Sequence, residues 1–244
     1  PISEDGKVGK KTTIGTPQGG VISPVLANVM LNELDQLLDS RGIKFVRYAD
    51  DMVIMCGSKK AAERILENVT NFLEKKLFLK VNKDKTKILH ASEKSQFLGF
   101  GFTTRVNQKK RMQYPTQKYF AIVHEKKRTK FIKRIKLILD RRAPGGIEKV
   151  KSKLKEYVRG WYNYYAEGIP VKWREKANNL IRRRIRQLLW KQWKKPDNRR
   201  KQLMRIGTNI PPLGEFAYSS NSYWRIAKTP LLHRVLGKKS LVKL

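Results

Sequence analysis

Beyond Pro115, the sustained apolar patterns of this chain repeat at helical spacing, with lysine and arginine filling most positions between them. Phe131, Ile132, Ile135, Ile138 and Leu139 form one stripe, and Ile147, Val150, Leu154, Tyr157, Val158 and Trp161 form a second. A third runs from Trp173 through Ala177, Leu180, Ile181 and Leu188 to Gln192. Stripes of this period bury one face of a helix and leave the other in water. Pro144-Gly145-Gly146, then Gly168 and Pro170, break the chain between them, and Pro196 stops the third. The pattern predicts three amphipathic helices on short loops, packed as a small bundle. From Arg199 the signals thin to an Ile210-Pro211-Pro212 turn, so residues 201–244 read as a basic tail.

The polar faces of these helices carry an unusual charge. The 244 residues hold 55 Lys and Arg against 20 Asp and Glu, a net of +35. Residues 1–100 are nearly balanced, with 16 basic and 12 acidic side chains, whereas residues 101–244 carry 39 and 8. Such a segment repels itself unless a polyanion neutralises it, and phosphate backbones are the usual partner. The plainer alternative is the solvated surface of a cationic protein. At 40% hydrophobic residues the chain has enough apolar side chains for real cores. Cys56 is the single cysteine, which excludes a disulfide or a Cys-based zinc site, and His90, His124 and His233 have no metal-ligand spacing. No apolar run reaches the roughly 20 residues that span a bilayer. No signal peptide is visible, and the chain opens at Pro1 without methionine, as a processed or cut protein does.

The first 115 residues read differently. Val25, Leu26, Val29, Met30, Leu34, Leu37 and Leu38 predict a helix over 24–38 with one buried face. Lys44–Val46 and Met52–Met55 read as short strands flanking Tyr48-Ala49-Asp50-Asp51, as in a tight hairpin. Ala61, Ile65, Leu66, Val69, Phe72 and Leu73 mark a second amphipathic helix. Leu79–Val81, Lys87–Ala91, Phe97–Thr103 and Arg111–Tyr114 read as further strands. The fold class is therefore α+β, a small antiparallel sheet with helices, followed by a basic all-α bundle.

Asp50-Asp51 is the first feature with chemical content. Two adjacent carboxylates in a hairpin turn repel each other, and a bound divalent cation removes that penalty. Mg²⁺ takes one or two carboxylates plus substrate phosphates, and paired metals stabilise both the attacking and the leaving oxygen of a phosphoryl transfer. Taken alone, the dipeptide is more often an ordinary solvent-exposed turn.

Its surroundings decide between these readings. Tyr48-Ala49-Asp50-Asp51 followed by Met52-Val53-Ile54 resembles the catalytic hairpin of reverse transcriptases. Upstream, Gly15-Thr16-Pro17-Gln18-Gly19-Gly20-Val21-Ile22-Ser23-Pro24 resembles the loop and helix start that line template and incoming nucleotide in those enzymes. Gly19 and Gly20 permit close backbone approach to a base pair, Gln18 can hydrogen-bond, and Pro24 can open a helix. Asn82-Lys83-Asp84-Lys85-Thr86 resembles the family's lysine-bearing loop, and Phe97-Leu98-Gly99-Phe100 its primer-grip turn. By themselves these are a surface lysine and a core strand with a glycine bulge. Four motifs in the family's order are far more specific than any one of them.

The basic half narrows the family. Tyr157-Val158-Arg159-Gly160-Trp161-Tyr162-Asn163-Tyr164-Tyr165 and the stretch 182–193 resemble the thumb and maturase-specific region of group II intron proteins. The likeness extends over about residues 12–236. For Trp161, Tyr164, Trp190 and Trp193 core packing is favoured over base stacking, and the arginine-rich face is favoured for phosphate contact.

The resemblance implies RNA-directed DNA polymerase chemistry plus intron RNA binding for splicing and retrohoming. Asp50 and Asp51 would hold Mg²⁺, with Mn²⁺ as a substitute. Pro17, Gln18, Gly19, Gly20, Tyr48 and Ala49 would shape the pocket for the nucleotide and template. Lys85 would reach the phosphates or protonate the leaving pyrophosphate, and Phe97, Leu98, Gly99 and Phe100 would hold the primer. Arg182, Arg183, Arg184, Arg186 and Lys191 would contact nucleic acid. Implied partners are group II intron RNA, a template–primer duplex and a deoxynucleoside triphosphate, in the bacterial cytoplasm. The expected division is a partial palm over 1–115, a thumb and maturase bundle over 116–200 and the basic tail.

Two features depart from the pattern. Nothing before Thr12 supplies the further aspartate that such polymerases draw from an earlier strand, since Asp5 sits in a Gly/Lys-rich loop. The fingers segment is absent as well, so the expectation is a fragment, or a chain completed by a separate N-terminal half. Residues 201–244 show no His- and Cys-bearing nuclease pattern, so the expectation is either the shorter class of intron proteins or a truncated chain. The competing reading from another class is a non-enzymatic RNA-binding splicing cofactor, which has no need of two carboxylates beside a polyanion.

Overall fold

The computed structural model describes residues 20–91, 95–106, 108–140, 142, 146–206 and 213–237. The chain forms two compact units that meet in sequence at Leu98 and Gly99. In the first, helix α1 (Ser23–Ser40) leads into strands β1 (Phe45–Tyr48) and β2 (Asp51–Ile54), then helix α2 (Lys59–Asn71). Pro24 opens α1, where its missing N–H costs nothing. Leu34 and Leu38 are the buried anchors of this helix. The single buried face expected over 24–38 forms only at its C-terminal end, because Val25, Leu26, Val29 and Met30 remain exposed.

The β1–β2 hairpin pairs Phe45 with Ile54, Val46 with Val53, Arg47 with Met52 and Tyr48 with Asp51. That register leaves a two-residue turn, Ala49-Asp50. Ser58 caps α2 by accepting the Ala61 N–H at 3.2 Å. A π-helical turn, Phe72–Lys76, extends it. The Leu79 N–H then reaches back to the Leu73 carbonyl at 2.8 Å, with Phe78 in the left-handed region where glycine is usual. The strands expected at Leu79–Val81 and Lys87–Ala91 do not form. Neither run finds a paired strand among the described residues, and an extended segment without a ladder is not a strand.

The second unit opens with β3 (Phe100–Thr103), which pairs antiparallel with β4 (Phe120–Val123) in the register Phe100 with Val123 to Thr103 with Phe120. Between them the strand expected at Arg111–Tyr114 is instead part of a short helix, α3 (Gln108–Gln113). Straight-chain Gln, Lys, Arg and Met lose little freedom in a helix. Arg111 also ties the segment down by donating to the carbonyls of Thr104 at 2.7 Å and Gln117 at 3.1 Å.

The three predicted helices are present as α4 (Glu125–Ile138), α5 (Gly146–Tyr165) and α6 (Val171–Gln192). Their stripes meet around Phe131, Ile135, Leu139, Val150 and Ala177. The Phe131 ring lies 4.3 Å from Trp161, 5.5 Å from Tyr157 and 5.6 Å from Trp173, so the aromatics of this bundle chiefly build its core.

Residues 201–244 are not simply a basic tail. Helix α7 (Pro196–Ile206) and the short helices α8 (Leu213–Phe216), α9 (Tyr223–Ile226) and α10 (Pro230–Val235) close a second core. Leu203, Ala217, Ile226, Leu232, Val235 and Leu236 are buried there against Leu189, Trp190 and Trp193. Elements of four to six residues are too short to show a helical stripe, which is why composition alone made them look like tail. The boundary after Leu98 also falls earlier than residue 115, because β3 and β4 pack on the turn that ends α5, where a side chain at Gly168 would meet Phe100 at 2.9 Å.

Candidate active site and nucleic-acid interface

The hairpin places Asp50 and Asp51 at its tip, both exposed. Ala49 has φ +53° while Asp50 is not left-handed, the pattern of a type II′ turn. This turn matches the right-handed twist of the strands, but glycine normally fills its first central position. An alanine there is strained and must be held by its surroundings. Neither carboxylate has a cation or hydrogen-bond donor on it among the described residues, where no group of three or more His, Cys, Asp or Glu forms either. Two free, adjacent carboxylates with no soft ligand suit Mg²⁺, which completes its shell with water and phosphate oxygens.

Holding the turn is Arg47, a residue that no motif of the sequence singles out. Its Nε donates to the two carboxylate oxygens of Asp35 at 2.9 and 3.0 Å, and Nη2 adds a further bond to the same carboxylate. Nη1 donates to Asn28 Oδ1 at 2.9 Å and to the Ala49 carbonyl at 3.0 Å. The bond to Asp35 holds the Arg47 guanidinium above its already high pKa. Asn28 and Asp35 lie seven residues apart on α1 and so share one face. That spacing, next to an arginine one residue before the Tyr-Ala-Asp-Asp run, was the signal available in the sequence.

Of the expected nucleotide pocket, Gly20, Tyr48 and Ala49 are described; Pro17, Gln18 and Gly19 lie outside the described residues. Gly20 accepts the Ser23 N–H at 3.2 Å in the turn that starts α1, and Tyr48 is 65% exposed. Lys85 sits in an exposed turn shaped by Asn82, whose side-chain Oδ1 accepts the Lys85 N–H at 3.1 Å and whose carbonyl accepts the Thr86 hydroxyl at 2.8 Å. The lysine side chain is thereby left at the surface on a fixed backbone. The structure gives Asn82 a role that sequence reasoning did not assign.

The residues expected to hold the primer divide at the boundary. Phe97 and Leu98 are half-buried at the end of the first unit, and Leu98 has φ +50°. Gly99 is buried with φ +86°, and its carbonyl accepts the His124 N–H at 3.0 Å. Phe100 packs its ring 5.2 Å from Tyr165 and 5.9 Å from Tyr164. The plainer alternative for this run was a core strand with a glycine bulge; the chain makes a tight turn with two successive left-handed residues.

On the basic helix α6, the candidates separate. Arg182 donates to Asn179 at 2.8 Å on the exposed surface. Arg183 lies 5.1 Å from the Trp224 ring, which Lys228 approaches at 5.2 Å. Arg184 and Lys191 are half-buried. Arg186 is a correction: it points into the protein, 3% exposed. Its Nε donates to the Ala227 carbonyl at 3.1 Å and its Nη2 to His233 Nε2 at 2.7 Å. Burial, reinforced by Arg182 and Arg183, pushes its pKa down to about 10. Desolvation and the same arginine hold His233 below its usual range, so the ring accepts in its neutral form. An arginine on a helical stripe cannot be assigned to water or interior without knowing what α9 and α10 bring against it. Trp190 and Trp193 are buried, as favoured, whereas Tyr164 is 57% exposed.

A family model described as reverse transcriptase (RNA-dependent DNA polymerase) matches residues 2–102, and one described as group II intron, maturase-specific domain matches residues 128–207. The chain belongs to the group II intron reverse transcriptase and maturase family. The first match contains the Asp50-Asp51 hairpin, and the second contains the three-helix bundle from Arg128 onward and the whole of α7. Among relatives, protein YkfC of Escherichia coli is 32% identical over 48% of this chain and 38% of its own length. The COX1/OXI3 intron 2 protein of Saccharomyces cerevisiae is 29% identical, covering 36% of this chain and 17% of that protein. Group II intron-encoded protein LtrA of Lactococcus lactis is 26% identical, over 39% of this chain and 26% of LtrA. The chain thus spans well under half the length of these relatives. Among the described residues, no helix of this family member is long and apolar enough to cross a membrane.

Proposed function

We propose that this chain performs the palm and thumb share of RNA-directed DNA synthesis in a group II intron protein, and grips the intron RNA with its basic helical unit. The observation that carries the reading is the exposed carboxylate pair Asp50-Asp51 on a strained, externally held hairpin turn in a strongly basic protein. Asp50 and Asp51 present hard oxygen ligands toward solvent, where a primer end and a nucleotide can approach. Mg²⁺ bound there supplies neutralisation of the charge that develops on the transferring phosphate. Lys85, on its Asn82-shaped turn, offers a proton and a positive charge to the leaving pyrophosphate. Gly20 at the start of α1 leaves backbone room for a base pair, and the motif resemblance assigns Pro17, Gln18 and Gly19 to the same pocket. The turn at Leu98-Gly99, with Phe97 and Phe100, is assigned to holding the primer. The palm share covers the first unit and the β3–β4 hairpin, and α4 to α7 take the thumb and maturase share.

The deciding experiment is primer extension on an RNA template with Mg²⁺, using the chain alone and with an upstream polymerase segment added in trans. Extension that depends on this chain is the expected result. No extension in either case, with tight RNA binding kept, moves the function to a splicing cofactor that works by binding alone.

The RNA-binding part has its own expected outcome. Arg182→Ala lowers the slope of log affinity against log salt by about one, the signature of one lost phosphate contact. Arg186→Ala leaves that slope unchanged and lowers stability by roughly 1–3 kcal/mol, because the buried Ala227 carbonyl loses its donor. Titrations at several salt concentrations and thermal melts separate the two. An unchanged melt for Arg186→Ala would contradict its interior role.

A further inference from the structure

Resting on the polymerase reading above, we infer that Arg47 is a positioning residue that sets the direction of the Asp50 carboxylate by fixing the central peptide of the hairpin turn. Arg47 stands in β1, directly before Tyr48, and crosses from the strand to α1. Its bonds to Asp35 and Asn28 would suffice to dock hairpin on helix. The fifth contact, from Nη1 to the Ala49 carbonyl at 3.0 Å, does something else.

That carbonyl belongs to the peptide joining Ala49 to Asp50, the middle peptide of the two-residue turn. A two-residue hairpin turn has two orientations of this peptide, related by a flip, and they differ in where the second residue points. The orientation seen here pairs a negative φ at Asp50 with φ +53° at Ala49, which alanine does not adopt without support; the flipped one makes φ of Asp50 positive as well. A guanidinium held by a carboxylate on one edge and an amide on the other cannot follow a flipped carbonyl. Its planar fork has one geometry, and α1 fixes that geometry through Asn28 and Asp35 on the same helix face. The chain Asp35 and Asn28 to Arg47 to Ala49 therefore converts the rigidity of α1 into a defined direction for Asp50. Arg47 itself touches no reacting atom in this scheme.

A simple docking role and a turn-selecting role make different predictions. Arg47→Lys keeps a positive charge for Asp35 but cannot hold Asn28, Asp35 and the Ala49 carbonyl together. In the full chain, labelled with ¹³C and ¹⁵N at aspartate, the one-bond Cα–Hα coupling of Asp50 reports its φ directly and needs no activity; φ is negative as found and becomes positive when the middle peptide flips. With Arg47→Lys that coupling shifts toward the value of positive φ. Mn²⁺ affinity, followed by the loss of its free-ion electron paramagnetic resonance signal, falls roughly tenfold or more, in line with a lost charged hydrogen bond.

The second change is Ala49→Gly in the Arg47→Lys background. Glycine takes left-handed φ without a clamp, so Mn²⁺ affinity recovers most of the loss if the arginine acts through the turn. No recovery, with the coupling of Asp50 unchanged in Arg47→Lys, reduces Arg47 to a docking residue and overturns the inference. If Arg47→Lys unfolds, Asn28→Ala removes one prop while leaving the ion pair. It is expected to give the same coupling shift at smaller amplitude, and an unmoved coupling there also overturns the inference. Failure of the polymerase reading looks different: wild-type chain takes up no Mn²⁺, while the Asp50 coupling still responds to Arg47.

Discussion

Asp50→Asn is expected to abolish primer extension by about three orders of magnitude or more, while RNA affinity and melting temperature stay at wild-type values. The side chain is exposed and no described residue bonds to it, so its removal costs the fold nothing. Asparagine keeps the shape of aspartate but offers a neutral oxygen and an N–H donor where Mg²⁺ needs an anionic ligand. Metal stabilisation of a transferring phosphate is worth several kcal/mol, and each 1.4 kcal/mol is tenfold in rate, which gives the expected loss. Binding moves the other way if at all, because removing a negative charge beside a polyanion relieves repulsion. Extension assays with whatever upstream segment supports activity, paired with RNA titrations, read both quantities. Persistent extension would remove Asp50 from the chemistry. Simultaneous loss of RNA binding would make the pair a structural feature, and the double Asp50→Asn, Asp51→Asn chain should behave as the single does.

That prediction stands on residues legible in the sequence itself. The hairpin was readable because two apolar runs flank four residues of known order, and the register puts Ala49-Asp50 at the turn as the spacing requires. The three bundle helices were equally legible, since 14 to 22 residues allow several turns of a stripe. What escaped has a common cause. β4 is four residues long, and α8 to α10 run four to six, below the length at which periodicity distinguishes one element from another. Arg47 escaped because its meaning lies in Asn28 and Asp35, which are distant in sequence and ordinary by type. Arg186 was misread for the mirror reason: a cation among cations looks like surface until the chain from Ala227 to His233 closes over it. The apolar row from Val25 to Met30 was read as buried from its spacing, yet periodicity gives a face its character and not its neighbour.

Gly99→Ala is expected to destabilise the second unit by roughly 2–5 kcal/mol, through two effects that a control can separate. The first is conformational. At φ +86° an L side chain is strained, at about 1–2 kcal/mol. The second is packing, since a methyl group there would lie 2.6 Å from the Tyr165 hydroxyl, 3.2 Å from Tyr165 Cε1 and 3.3 Å from Lys127 Cε. Lys127 can swing away. Tyr165 cannot, because its buried ring is wedged 4.6 Å from Tyr164, 4.8 Å from Trp161 and 5.2 Å from Phe100. Overpacking such a site costs roughly a further 1–3 kcal/mol. Gly146 supplies the control: φ is +72°, but a methyl group at that position would have nothing within 4 Å, so Gly146→Ala carries the conformational cost alone. Chemical denaturation of both variants should therefore show Gly99→Ala clearly the worse. Adding Tyr165→Phe to Gly99→Ala removes the nearest atom and should recover part of the difference, whereas in the Gly146→Ala background it should recover nothing. Equal losses for the two glycines would mean that Tyr165 yields after all. The turn before Phe100 would then owe its shape to backbone preference and not to the aromatic wedge at the end of α5.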